Sequence, residues 1–575
     1  MTDTHPLNLN RIISCAAGRE KADLVLVNGR VINVFSGEIL SETVAIADGY
    51  ILGTGDYPAR KIIDLEGRFI APGFIDPHLH IESSMASVTE FVRAVLPCGT
   101  TTVAADPHEI ANVLGGEGIA WMLESAQNQP MNVYYTLPSC VPATDMETAG
   151  ACLKAADLAR FMGEDRVLGL AEVMNYPGVI HQDPGLLEKI ILAKTRKKRV
   201  EGHSPALTGK NLNAYLCAGI SSDHECFSLA EAVEKLRAGM YVMVREGTCA
   251  QNLNDLFPLI SDKTFHRMMW CTDDLHAHDI LEQGHVDHIV RRAIDLGLDP
   301  VMAIQMATIV PARYYGLRDV GAIGPGRRAD LVVFSDLNTP RIEQVYTGGE
   351  LRAENGQMLP DVPRRISPSL PRAMNLDPGK VDFSIPAESP RVRVIELIPG
   401  QILTRERIME ASVSGSLAEA DPSRGLIKLA VVERYTGNAK TGKGFLTGLG
   451  LKHGALAGSV AHDSHNIIVA GASDASMKTA LAAVVRMGGG LAAAADGKVL
   501  AQLPLPIAGL MSHEPMSVIR EKLDALIRAA HELGAAVQDP FMILSFLALP
   551  VIPDLKLTDR GLVDVRRFEI VPLFV

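Results

Sequence analysis

Apolar and polar positions change their spacing three times along this 575-residue chain. In the first stretch, short β-branched runs at 24–27, 31–34, 43–46, 50–53 and 62–65 are separated by turn residues and predict a small β domain. Its phrase Ala22-Asp23-Leu24-Val25-Leu26 returns as Ala329-Asp330-Leu331-Val332-Val333 behind the turn Gly324-Pro325-Gly326. The two flanks, 1–70 and 320–360, are therefore expected to form one small β-sandwich domain around what lies between. Between them, over 71–319, strand-like runs at 74–75, 101–104, 132–136, 167–170, 200–201, 219–221, 241–244 and 268–270 alternate with helical stretches. That alternation predicts an α/β fold of the (β/α)8 barrel type, with functional groups at the C-terminal ends of its strands. Proline-rich spacing over 361–392 predicts a linker. A C-terminal α+β domain is expected over 393–575, with strands at 427–432 and 466–470 and a helix at 517–533 that places Val518, Leu523, Leu526 and Ile527 on one face.

Composition fits a large, turn-rich globular chain: 47% hydrophobic residues, 50 glycines and 33 prolines. The net charge of -12 gives no electrostatic reason to bind nucleic acid or an anionic membrane. The single dense basic run, residues 194–199, reads as a solvated helix end. Eight cysteines stand singly between Cys15 and Cys271 without a Cys-x-x-Cys, which suits a reducing cytoplasm. Residues 1–10 lack the charged-then-apolar order of a signal peptide, and the most apolar tail segment, 541–551, is too short to span a bilayer. A cytoplasmic location is the expectation.

Chemistry enters with His78-Leu79-His80, directly after the first barrel strand. Residues two apart on an extended backbone point the same way, so both imidazoles can reach one ion. Alone the pair is a weak signal. The fourth strand, however, ends in Leu170-Ala171-Glu172, the fifth in Glu201-Gly202-His203, the sixth in Ser222-Asp223-His224 and the eighth in Cys271-Thr272-Asp273-Asp274. Glu172 alone could be an ion-pair partner and Asp273 a helix cap. Six candidate ligands at five strand ends, converging at one face of a barrel, instead point to two metals.

These motifs resemble the amidohydrolase superfamily: Pro72-Gly73-Phe74-Ile75-Asp76-Pro77-His78-Leu79-His80, the Thr272-Asp273 pair, and the Gly324-to-Val333 return. Within it the chain resembles the di-metal bacterial adenine deaminases. The residues that carry this are Ile81-Glu82-Ser83-Ser84, Asp106-Pro107-His108-Glu109, the run from Ala171-Glu172 through Asn175-Tyr176 to Val179, Glu201-Gly202-His203-Ser204-Pro205 and Ser222-Asp223-His224-Glu225. The resemblance implies that Glu172 bridges the metals where hydantoinases and dihydroorotases use a carboxylated lysine. It also implies that His78, His80 and Asp273 bind the more buried ion and His203 and His224 the other. It further implies two divalent ions, Mn2+ or Fe2+ with Zn2+ accommodated, and a homodimer.

On that reading adenine is deaminated hydrolytically to hypoxanthine and ammonia. The metal pair lowers the pKa of water so that hydroxide attacks C6, while Asp273 carries the proton to the departing amino group. Glu109 and Glu82 are the candidate acids for the ring nitrogen, with a helix-start role as the alternative for Glu109. Asn175, Tyr176 and Asp274 are candidate purine contacts. His465, in His462-Asp463-Ser464-His465-Asn466, lies either in a self-satisfied turn or in a loop that closes over the barrel mouth. A mononuclear zinc deaminase of the His-x-Glu, Pro-Cys-x-x-Cys kind is excluded: His80-Ile81-Glu82 and Pro97-Cys98 are present, but Thr101 stands where the second cysteine is required. The alternatives are an amidohydrolase acting on a cyclic amide or N-acyl substrate, and a non-catalytic relative.

Overall fold

The computed structural model describes residues 8–248, 250–365, 369–399, 401 and 403–575. Residues 1–7 of the N-terminal stretch and 366–368 of the proline-rich stretch lie outside the described residues. Eight parallel strands build the central unit: β1 (Phe74–Leu79), β2 (Thr100–Ala105), β3 (Asn132–Leu137), β4 (Val167–Val173), β5 (Arg199–Gly202), β6 (Ser222–Asp223), β7 (Tyr241–Arg245) and β8 (Met268–Cys271). The first five form one sheet in sequence order and the last three a second. Ser221 N–H donates to Val200 C=O at 3.0 Å between the sheets, and on the far side Asp273 N–H donates to His78 C=O at 3.1 Å. The ring is thereby closed into a (β/α)8 barrel.

The strands lie where the apolar runs predict them, because a parallel strand buried on both faces reads as a continuous apolar segment. The sixth starts later than expected. Gly219, at φ 104, ends the helix Gly209–Cys217 by donating to Leu216 C=O, so the ladder begins only at Ser222. At the entrance to β1, Gly73 has no room for a side chain, since a Cβ there would lie 2.2 Å from Thr101 Oγ1 on β2.

Both flanks contribute to a nine-stranded sheet in which Leu331–Phe334 pairs antiparallel with Phe69–Pro72. The runs expected at 24–27 and 31–34 are one strand, Ala22–Asn33, kinked by a register shift at Asn28, which has φ 56. The C-terminal unit holds an eight-stranded mixed sheet that places Arg391–Leu397, Thr441–Thr447, Ile427–Val432 and Ile467–Gly471 side by side. The helices Asp474–Arg486 and Met516–Glu532 pack on it. The second helix buries Ile519, Leu523, Leu526 and Ala530, with Val518 and Ile527 at the border of that face. The proline-rich stretch is not a bare connector: Leu376, Val381 and Phe383 are buried in the C-terminal core.

One apolar cluster runs from Phe74 and Trp270 in the barrel to Leu446, Leu526 and Leu547 in the C-terminal unit. The tail segment over 541–551 contributes the short helix Pro540–Ser545 and a following turn, packed on the barrel side of this unit. Among the described residues no helix is long and apolar enough to cross a membrane.

Candidate metal centre and active site

The strand-end carboxylates and imidazoles converge. Glu172, at the end of β4, turns one carboxylate oxygen toward His80 Nε2 at 3.5 Å and the other toward His203 Nδ1 at 2.8 Å and His224 Nε2 at 3.2 Å. Asp273, just past β8, places Oδ1 3.1 Å from His80 Nε2 and 3.4 Å from His78 Nε2. His78 stacks on His224 with ring centres 4.1 Å apart. Ligand atoms of His78, His224 and Asp273 lie within 4.8 Å of one another, as do those of Glu172, His203 and His224.

Outer groups orient the imidazoles. His78 Nδ1 donates to Glu201 Oε2 at 3.2 Å and His80 Nδ1 donates to the Asp106 carbonyl at 3.1 Å, so both direct Nε2 toward the centre. His78 Nε2 is fully buried and has no hydrogen-bond partner. An orphaned, correctly oriented nitrogen beside two carboxylates that each face several imidazoles fits a pair of divalent cations.

Charge supports the same reading. Burial pushes the Asp273 carboxyl up, but Arg245 and the facing histidines hold it well below the usual carboxylate range. Glu172 is likewise held low, against its burial, by His203 and His224. Although burial disfavours their charged forms, the carboxylates raise His80 to about 10 and His203 to about 9. The protein alone therefore gathers protons where cations would sit.

Asp273 is a non-glycine residue at φ 57, held there by backbone hydrogen bonds to His78 on β1 and to His80 just past it. Its second oxygen accepts from Arg245 at 2.7 Å, and Arg245 also forks onto Glu225. Arg245 ends β7, the one late strand for which the sequence offered no candidate. The strand-end rule applied to the seventh strand would have found it. Asp106 and His108 also join the cluster, His108 Nδ1 lying 3.0 Å from Asp106 Oδ2 and 3.5 Å from Glu172 Oε1.

The remaining candidates divide. Glu109 and Asp274 line the cavity, and Asp274 accepts from Ser83 Oγ. Burial, with Glu82 and Asp274 nearby, keeps the Glu109 carboxyl well above its ordinary range. Glu82 is buried behind it, bonded by the Ile110 N–H at 3.3 Å and pushed up by burial to about 7. Asn175 and Tyr176 are not brought to the cavity. Asn175 Oδ1 caps its own helix by accepting from Gly178 N–H, Tyr176 packs against the apolar layer beside β4, and Met174 lines the cavity in their place. His465 is fully buried behind Glu109, its Nδ1 accepting from Ala461 N–H, so its Nε2 carries the hydrogen 3.8 Å from Glu109 Oε2.

The loop over 462–466 does reach the barrel mouth. His462 lies 3.4 Å from Glu109 and stacks on Phe546, and Asp463 lines the cavity beside it. Phe546, Leu549, Val551 and Ile552 complete an apolar cover, leaving about 70 Å3 of free space. The sequence showed this segment only as an apolar run.

Comparison with known proteins gives the same family twice. The amidohydrolase family model matches residues 69–352, and a model described as the adenine deaminase C-terminal domain matches 401–569. A protein of Desulfatibacillum aliphaticivorans called adenine deaminase is 51% identical over 568 residues, covering 98% of this chain and 99% of its own length. One of Carboxydothermus hydrogenoformans called adenine deaminase 2 is 48% identical over 98% of this chain and 99% of its own. One of Methanothrix thermoacetophila called adenine deaminase is 46% identical over 99% and 100%.

Proposed function

Because the chain belongs to the adenine deaminase family of the amidohydrolases, we propose that its buried centre hydrolyses adenine to hypoxanthine and ammonia. The observation that carries this is Glu172, whose two oxygens face two different imidazole sets. His78, His80, Glu172, His203, His224 and Asp273 would hold two divalent ions, and their nitrogen and oxygen donors suit Mn2+ or Fe2+ and accommodate Zn2+. When bound, such ions make water acidic enough to attack at neutral pH.

The protein groups supply the rest. Asp273 is ionised and anchored by Arg245, so one oxygen stays fixed while the other faces the reacting centre. It takes the proton of the attacking water and delivers it to the amino group leaving C6. Glu109, held toward its neutral form on the cavity wall, donates to the adjacent ring nitrogen and regains a proton as the C6 hydroxyl loses its own to become the carbonyl of hypoxanthine. Burial holds Glu109 toward its neutral form, with repulsion from Glu82, one layer behind, and Asp274 adding to it. The cover formed by Phe546, Leu549, Val551 and Ile552 excludes bulk water and must part to admit a purine.

We read the protein as a cytoplasmic homodimer. The cysteines among the described residues are free, which supports a reducing compartment, and the family resemblance supports the dimer. Ammonia release from adenine by metal-stripped protein reloaded with iron, manganese or zinc tests the assignment. Activity restored by at least one metal in the parent and lost in Glu172→Ala is expected. No turnover with any metal would overturn it.

A further inference from the structure

Opposite the active-site mouth lies a second cavity of about 260 Å3, at the N-terminal ends of β3 and β4 where the barrel meets the flanking sheet. Arg166, Arg328, Arg352 and Arg365 all line it, and no acidic side chain does. Two of the four are committed: Arg328 pairs with Asp330 at 2.9 Å and Arg352 with Glu350 at 2.6 Å. The other two bond only backbone carbonyls. Arg166 Nη1 donates to Val133 at 3.2 Å and Arg365 Nε to Asn128 at 2.9 Å, and neither has a carboxylate partner among the described residues.

Two further groups mark the cavity as built to receive something. Thr347 is 2% exposed and lines it with a buried Oγ1 that has no hydrogen-bond partner. The Arg352 Nε is also buried and unpartnered. Leaving such atoms unsatisfied is costly, and an incoming acceptor relieves both. Asp330 and Glu350 answer two of the four guanidiniums, and placing Arg166 and Arg365 in the same concavity without carboxylate partners is unfavourable unless an anion answers them.

We propose that this cavity binds a small phosphate-bearing anion. The planar forks of Arg166 and Arg365 match phosphate oxygens, and the free Arg352 Nε and Thr347 hydroxyl supply single donors beside them. A doubly charged phosphate answers two uncommitted guanidiniums, where a lone carboxylate answers one. The cavity is lined by five separate stretches of chain around only about 260 Å3, a size that favours a compact ligand over a nucleic-acid backbone. Its walls are the barrel, the flanking sheet and residues 362–365 leading toward the C-terminal unit, so a bound anion would cross-link all three.

Calorimetric titration of the metal-loaded protein at constant ionic strength tests this, with inorganic phosphate, pyrophosphate and ribose 5-phosphate as separate probes. Saturable binding of at least one probe is expected, and the preferred probe tells whether linked phosphates or a sugar monophosphate is the better fit. Arg166→Gln with Arg365→Gln should weaken it by about tenfold or more, and Thr347→Val by a smaller factor, with adenine turnover unchanged. Should the double variant fold poorly, Arg365→Gln alone, at an exposed position, carries the same comparison. Binding at the metal cluster would survive these substitutions. Equal affinity in parent and variants, or no saturable heat with any probe, overturns the proposal.

Discussion

At the scale of single residues, the site depends on how each charge is held. Arg245 fixes one oxygen of Asp273, so Arg245→Gln should lower kcat at least about tenfold while metal content, measured by elemental analysis, stays near that of the parent. The imidazoles give a second expectation. His80 and His203 are raised to about 10 and about 9, so at pH 7 both are protonated in the metal-free protein and must lose protons to bind a cation. Metal uptake should therefore release protons, and apparent affinity should climb as pH rises from 7 toward 9. A pH-stat titration showing no proton release would contradict this. The convergence of the six ligand candidates was legible because each lies at or just past the C-terminal end of a strand; Arg245 ends a strand too, but an arginine closing an apolar run reads as a solvated end. Asn175 and Tyr176 misled because a loop after a strand can turn its side chains back on itself, as Asn175 does when it caps the next helix.

At the scale of elements, two contacts decide whether the ligands are in place. The close approach of Gly73 to Thr101 sets β1 against β2, and a methyl group there has no space because threonine is branched at Cβ. Gly73→Ala should cost about 1–3 kcal/mol, read as a lowered midpoint in thermal unfolding. The apolar cover is the other. Replacing Phe546 and Leu549 together by alanine removes the ring stacked on His462 and opens the cavity to water. It should raise KM for adenine severalfold and lower kcat, with the metal content kept. The barrel strands were readable from sequence because burial on both faces makes them apolar throughout. The cover was not, because an apolar run without clear period looks the same in a core as over a cavity.

At the scale of the whole molecule, the flanking sheet, barrel and C-terminal unit share packing. The apolar cluster crosses from barrel to C-terminal unit, and polar ties add to it, such as Thr148 Oγ1 to Asp559 at 2.7 Å and Asn466 Nδ2 to the Thr148 carbonyl at 2.8 Å. Heating the metal-loaded protein should give one calorimetric transition, with a chelator moving that transition down as a unit; two separated peaks would contradict the shared core. The order of strands in the C-terminal sheet was not legible, because pairing between distant segments leaves no local periodic mark. The backbone stitch between β1 and β8 has a consequence for biosynthesis. On the ribosome His78 and His80 emerge long before Asp273, and His462 later still. The nascent chain thus displays a histidine pair without its carboxylate, and a cation can be enclosed only after barrel closure and the arrival of the last domain. Metal acquisition would in this way be deferred to the finished polypeptide, and the ion available at that moment, rather than during elongation, would be the one the centre takes up.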